Sequence, residues 1–245
     1  MKPSSVLRKL DRAVALYQDH GLGAVAARLH RRFMHAVGSD DPAHAEWMRQ
    51  KASADASFDV AYGTQTGGTQ EISDLTIVGE NARYGRNHVA SEPSYFSGMM
   101  ADLHLDLNNF TFIDLGSGKG RALMLASEFP FRRLVGVEFC YELHEAAIEN
   151  FATFTSSKSA ESRVELVYGD AAAYAFPVEP LVIYMFNPFG SSVVRQVANN
   201  ALASWLNAPR PIHVLYMNPV HLRHFTEAGW RLSNGATKGY AHLVP

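Results

Sequence analysis

The stretch Phe112-Ile113-Asp114-Leu115-Gly116-Ser117-Gly118-Lys119-Gly120-Arg121 decides how this chain is read. A short apolar run ends in an acid, enters a glycine-rich turn and continues into a helix-forming segment. At the carboxyl end of a parallel strand, this is where doubly wound folds bind ligands. Glycines there let the backbone approach a ligand closely. Three ligand types compete for such a turn. A phosphate-binding loop needs Gly, four residues, then Gly-Lys-Ser/Thr. Here Gly120 follows Gly118-Lys119, and Ile113 stands where the first glycine belongs. A dinucleotide loop needs Gly-x-Gly-x-x-Gly, and Arg121 takes the place of its last glycine. An acid at the strand end also repels a pyrophosphate. A ligand carrying positive charge suits Asp114.

Downstream, apolar runs at 133–138, 163–168, 181–186 and 211–217 alternate with helical patterns at 121–129, 141–154, 191–206 and 220–228. Such alternation predicts a parallel sheet covered by helices on both faces. Asn234-Gly235 then signals a hairpin, which sends the last strand antiparallel into the sheet. The expected fold is α/β: a Rossmann-like doubly wound sheet, mostly parallel, with a C-terminal antiparallel hairpin and an N-terminal helical extension. Residues 1–57 are expected to be the extension, 58–109 a lid and helix before the core, and 110–245 the core.

Upstream, residues 1–37 read as two helices broken at Gly21 and Gly23, with polar faces rich in Lys and Arg. They are expected to be packing helices with solvated charges. The alternative is a surface that docks on a membrane, a nucleic acid or an acidic partner. Residues 58–69 are rich in Gly and Thr and read as a loop.

The 245 residues suit one α/β domain with an extension. Charged residues make up 19% and the net charge is −2, so the whole chain is no general polyanion binder and a nucleic-acid partner is not expected. The single Cys140 cannot form an internal disulfide or a Cys-rich zinc site. No apolar run approaches a membrane span. Arg8, Lys9, Asp11 and Arg12 fall where a signal peptide would be apolar. A cytoplasmic location is the expectation. Among the eleven histidines, His221 and His224 share a helix face, but carboxylates at matching spacing are missing. They read as surface or interface residues, and His213 as a core histidine. No metal is expected.

Asp-x-Gly-x-Gly-x-Gly after a strand resembles motif I of the class I S-adenosylmethionine-dependent methyltransferases. The resemblance spans roughly residues 80–245. The second strand ends in Glu138, 24 residues after Asp114, close to the spacing at which an acid meets a ribose. The third is followed by Gly169-Asp170-Ala171, and the fourth ends at Asn187-Pro188-Phe189-Gly190. Phe58-Asp59, Tyr62-Gly63, Thr66-Gly67 and Glu92-Pro93-Ser94 resemble a bacterial group of unassigned substrate within that family. The Glu-Pro loop is distantly similar to that of lysine methyltransferases lacking a SET domain.

The resemblance implies S-adenosylmethionine as cofactor, bound by Asp114, Gly116, Ser117, Gly118, Gly120, Glu138, Asp170 and Asn187. It implies methyl transfer to an N or O nucleophile on a small molecule or protein side chain. Asn187, Glu92 and Tyr84, with His88, are the candidates for work at the acceptor, because they border the substrate side. Each cofactor residue has a plainer reading: Asp114 and Asp170 as turn caps, Glu138 as a helix-start acid. Lys119 and Arg121 read as solvated or ion-paired. Two alternatives remain. One is a non-catalytic binding module on the same fold. The other is a planar-nitrogen methyltransferase, although Asn187-Pro188-Phe189 lacks the second proline of that motif.

Overall fold

The structure is a computed structural model that describes residues 14, 42–70, 81, 85, 88–154, 163–234 and 239–245. Tyr84 and, Val14 apart, the expected helices of residues 1–37 lie outside these. The strands are β1 (Thr111–Leu115), β2 (Arg133–Glu138), β3 (Val164–Tyr168), β4 (Leu181–Phe186), β5 (Ile212–Met217), β6 (Arg231–Asn234) and β7 (Tyr240–Val244). They form one sheet in the order β3-β2-β1-β4-β5-β7-β6. The first five are parallel, and β7 lies antiparallel between β5 and β6. The expected insertion of the last strand is therefore present.

Successive side chains of a strand point to opposite faces, and both faces are buried. Ile113, Leu115, Ile183, Val214 and Tyr216 pack on one side with Val193, Val197 and Phe225. Phe112, Val182, Tyr184 and Leu215 pack on the other with Phe96, Leu123 and Met124. The helices that supply these layers are α1 (Pro42–Tyr62), α2 (Pro93–Leu103), α3 (Arg121–Ser127), α4 (Tyr141–Thr153), α5 (Ser191–Asn207) and α6 (Arg223–Ala228). Arg-Ala-Leu-Met-Leu-Ala-Ser in α3 combines strong helix formers with near-complete burial. Among the described residues no helix is long and apolar enough to cross a membrane.

One element departs from expectation. Residues 58–62 read as loop, yet they are the last turns of α1, which also runs across the expected boundary at residue 57. The cause is tertiary. Phe58 is buried, packs on Tyr62 with ring centroids 4.6 Å apart, and lies under the Arg121 guanidinium at 4.5 Å.

Arg121 is the hinge pin of this packing. A cation in the first turn of a helix opposes the helix dipole, so its burial at 2% exposure requires partners. It forms ion pairs with Asp55 and with Asp59, the latter at 3.4 Å, and its Nε donates to Thr66 Oγ1 at 2.6 Å. Asp59 in turn accepts from the Thr66 and Gly67 amides, each at 2.8 Å, and from both the Thr64 and Thr66 hydroxyls. This is why Asp59 and Thr66-Gly67 occur together: they fold the chain after α1 onto the core.

Removing one partner from a buried ion pair is strongly destabilising, whereas an exposed pair contributes little. Arg121→Met is expected to lower unfolding free energy by about 3–5 kcal/mol. Arg133→Met, which breaks the exposed Arg133–Glu165 pair, is expected to cost less than about 1 kcal/mol. Urea unfolding midpoints check both, and equal losses would remove Arg121 from this role.

Candidate active site

The glycine turn sits at the carboxyl end of the central strand β1, between β2 and β4. Asp114 is 3% exposed and Glu138, at the end of adjacent β2, is also 3% exposed. Burial holds the Asp114 carboxyl well above the usual carboxylate range, and the nearby Glu138 charge raises it further. Burial lifts Glu138 to about 7, against its bonds to backbone amides. Its Oε2 accepts the Gly118 amide and its Oε1 the Cys140 amide, each at 2.8 Å. Glu138 thus ties the glycine turn to the start of α4. Each oxygen keeps a second lone pair.

A small cavity of about 50 Å³ opens against Asp114, Gly116, Ser117, Gly118 and Glu138. Ser117 Oγ is buried there without a hydrogen-bond partner. Such an orphan costs about 1–3 kcal/mol unless a ligand or water satisfies it. Gly116 and Gly118 adopt φ of 83° and 54°. A Cβ on Gly116 would lie 2.4 Å from Pro188, and one on Gly118 would lie 2.5 Å from His88 Nδ1. The loops carrying Pro188 and His88 therefore press directly on the turn.

His88 is largely enclosed, and burial holds its imidazole near 4, so it is neutral at pH 7. Its Nε2–H donates to the Thr66 carbonyl at 3.1 Å, because a carbonyl only accepts. The Nδ1 lone pair then faces Gly118. Lys119 Nζ donates to the Gly67 carbonyl at 2.9 Å, which adds a second tie between the turn and the segment after α1.

A second, larger cavity of about 890 Å³ adjoins the first and shares Val89, Ala90, Tyr184 and Phe186 with it. Glu92 and Asn187 both line it. Asn187 and Asn218, which end β4 and β5, each precede a proline and adopt left-handed φ of 42° and 48°. Asn tolerates that region better than most residues, and strain of this kind clusters at functional sites. Asn187 Oδ1 accepts from Tyr216 Oη at 3.4 Å.

The structure gathers Asp114, Gly116, Ser117, Gly118 and Glu138 around one cavity and Asn187 and Glu92 around the other. Three expected cofactor residues stand apart from the first cavity: Asn187, which lines the second, and Gly120 and Asp170, which line neither. Gly120 faces the Phe151 ring, where a Cβ would lie 3.0 Å away, so it serves the packing of α4. Asp170 caps the turn 171–173 through the Ala172 amide and accepts from Asn81 Nδ2 at 2.8 Å. Arg121 and Lys119 are engaged by protein groups, as their reading as ion-paired residues implied. His213 is half-buried and bonds His242 at 2.8 Å. His221 and His224 are buried, not surface residues. His224 Nε2 lies 2.6 Å from Ser191 Oγ, a partner far away in sequence.

Pro188 and Phe189, read at the substrate-facing end of the fourth strand, line the small cavity, and the Ser91–Tyr184 hydroxyl pair at 2.9 Å is a site feature that the sequence reading missed. Tyr184 carried a signal: it is the one polar residue in the apolar run of β4. Its hydroxyl is pushed far up by burial, so it remains protonated.

No family model and no curated protein matches the chain. Solved structures do resemble it. A SAM-dependent methyltransferase from Geobacter sulfurreducens, in complex with S-adenosyl-L-homocysteine, aligns over 58% of this chain and 65% of its own, at 17% identity and a TM-score of 0.42. One from Thiobacillus denitrificans, in the same complex, aligns over 58% and 65%, at 18% identity and a TM-score of 0.41. A predicted N6-adenine-specific DNA methylase from Listeria monocytogenes aligns over 63% of this chain and 50% of its own, at 11% identity and a TM-score of 0.50. The aligned part thus spans half to two thirds of these chains. The last likeness, with the seven-stranded order found here, shows the fold: it is that of the class I methyltransferases.

The raised Glu138 carboxyl has a measurable consequence. Between about pH 4.5 and 7 the folded chain keeps a proton on Glu138 that the unfolded chain releases. Its contribution to stability therefore falls as pH rises through that window. His88 and His213, held down near 4, act in the opposite direction. The difference between wild type and Glu138→Gln isolates the carboxyl. The variant is expected to gain stability relative to wild type from about pH 4.5 to 7. A flat difference curve in denaturant unfolding would refute the raised value.

Proposed function

We propose that this chain is an S-adenosylmethionine-dependent methyltransferase, with its cofactor at the Asp114–Glu138 cavity and its methyl acceptor in the adjoining larger cavity. The observation that carries the reading is charge. Two buried carboxylates converge at the glycine turn, and no described cation neutralises Asp114. Buried charges are retained where a partner pairs with them. A cationic ligand bearing hydroxyls supplies that partner, and Ser117 Oγ offers it one more polar contact.

Asp114 and Glu138 would hold the cofactor, with Gly116 and Gly118 permitting close approach. When bound, the sulfonium supplies an activated methyl group and its own leaving group. The work left to the chain is to position an N or O nucleophile and exclude water. Asn187 and Glu92 border the acceptor side. A planar-nitrogen acceptor finds less support here. Phe189, the ring that would stack on it, is 2% exposed and packs edge-on against Phe139 at 6.0 Å.

Residues 58–109 serve in this reading as a lid and the helix behind it. A cavity of about 50 Å³ is far below the roughly 300–1,000 Å³ of small-molecule sites. Admission of the cofactor therefore requires His88 or Pro188 to move off the turn.

Calorimetric titration tests the reading. S-adenosylhomocysteine is expected to bind with micromolar affinity, about −8 kcal/mol, and Glu138→Ala is expected to weaken it by about 1–3 kcal/mol. Absence of binding at millimolar ligand would overturn the proposal. Incubation with S-adenosylmethionine and an acceptor is expected to release S-adenosylhomocysteine, which separates an enzyme from a silent binding module.

Hydrogen exchange tests the lid. Adding S-adenosylhomocysteine is expected to raise protection in residues 62–93 as well as around Gly116. Protection confined to the glycine turn would make the segment packing only.

A further inference from the structure

The larger cavity lies where α1 and α2 meet the ends of β4 and β5. Its walls are mainly apolar and aromatic: Tyr95, Phe96, Met99, Phe186 and Tyr240 among them. At about 890 Å³ it is large enough for an organic molecule of ordinary ligand size.

Among the described residues, two charged side chains reach this cavity, and one of them has an ion-pair partner. Lys51 is paired with Asp55 at 2.7 Å, and its side chain is 14% exposed. Glu92 has no ion-pair partner among the described residues. Its one side-chain contact is a long hydrogen bond from Ser94 Oγ at 3.4 Å. Although Glu92 is the N-cap of α2, its carboxylate makes no cap hydrogen bond to the helix amides. Glu92 thus presents a half-buried carboxylate, without an ion-pair partner among the described residues, beside aromatic rings. Asp114 and Glu138, across the shared wall, add to the same sign when ionised. A cleft lined by one sign of charge and low-dielectric walls concentrates the opposite ion. Aromatic faces favour cations as well.

We propose that this cavity binds amphipathic amines, the ammonium group paired with Glu92 and the apolar body lying along the accessible Tyr95, Phe186 and Met217. An organic carboxylate or phosphate of the same shape is repelled by Glu92. A neutral alcohol gains the apolar contacts and lacks the ion pair. The inference rests on the reading of this cavity as the acceptor site, and it narrows the acceptor there to a hydrophobic amine. Asn187 and Asn218 add amide groups at the strand ends, which can take the remaining N–H bonds of such a head group.

The test uses the full chain and three probes of one skeleton: phenylbutylamine, phenylbutanol and phenylbutyrate. Calorimetry is expected to rank the amine about tenfold or more above the alcohol, and the acid last. In Glu92→Gln the amine-to-alcohol ratio is expected to fall to within about twofold of unity, while the alcohol's own affinity stays within the same range. Equal binding of amine and alcohol, preference for the acid, no binding of any probe, or an unchanged ratio in the variant would each overturn the proposal. S-adenosylhomocysteine is titrated separately into both proteins. Its failure to bind, with the amine preference intact, would remove the methyltransferase reading and leave the amine site standing.

Discussion

Buried carboxylates without a cation are the constraint around which the rest of this structure is arranged. Asp114 and Glu138 stand at the ends of β1 and β2; burial pushes both toward their neutral forms, and the Glu138 charge adds to the push on Asp114. A sheet of apolar runs has no intrinsic use for acids at these two positions. Leucine or valine would bury there at no electrostatic cost. The backbone accommodates Glu138 by pointing the Gly118 and Cys140 amides at it. Among the described residues, no amide hydrogen bond of this kind reaches Asp114. A fold that tolerates this arrangement is one whose ligand completes it, since the free energy lost on burial returns when a cation arrives.

The distribution of positive charge reinforces the point. Arg121 and Lys119 belong to the same glycine turn and its helix, so they are the nearest candidates to neutralise those acids. Both are engaged by other protein groups. Arg121 is locked to Asp55, Asp59 and Thr66, and Lys119 to the Gly67 carbonyl. Asp55 and Asp59 thus fasten the segment after α1 to the core and pair the Arg121 guanidinium, which itself borders the small cavity. The same segment carries Thr66, whose carbonyl fixes the His88 tautomer. The positive knot and the negative cavity meet at one turn.

Legibility in the sequence followed the range of the interactions. The parallel strands were visible because each is a short apolar run with punctuation at its end, and Leu181–Phe186 came out at its observed bounds. The glycine turn was visible because close approach and left-handed backbone restrict residue choice locally. The far end of α1 was not, since Phe58 is held by Arg121, 63 positions later. Gly120 and Asp170 fit the motif by spacing, yet their surroundings come from Phe151 and Asn81, which no spacing rule reaches. His224 looked like a surface or interface residue because no carboxylate stands at matching spacing, and Ser191, 33 positions earlier, draws it inward. Local chemistry was readable; burial depended on partners brought in by the topology.

The wall between the two cavities ties their behaviour together. Val89, Ala90, Tyr184 and Phe186 face both. Tyr184 stands in the central strand β4 and its hydroxyl is bonded to Ser91, so the wall joins a sheet strand to the segment 88–91. His88, whose ring presses on Gly118, is the first residue of that segment. Any displacement that frees the glycine turn therefore also shifts Val89 and Ala90, which line the acceptor side. Under the proposed reading, cofactor admission at the glycine turn would also reshape the acceptor cavity, because residues 88–91 run from the His88 contact on Gly118 to the Ser91–Tyr184 bond.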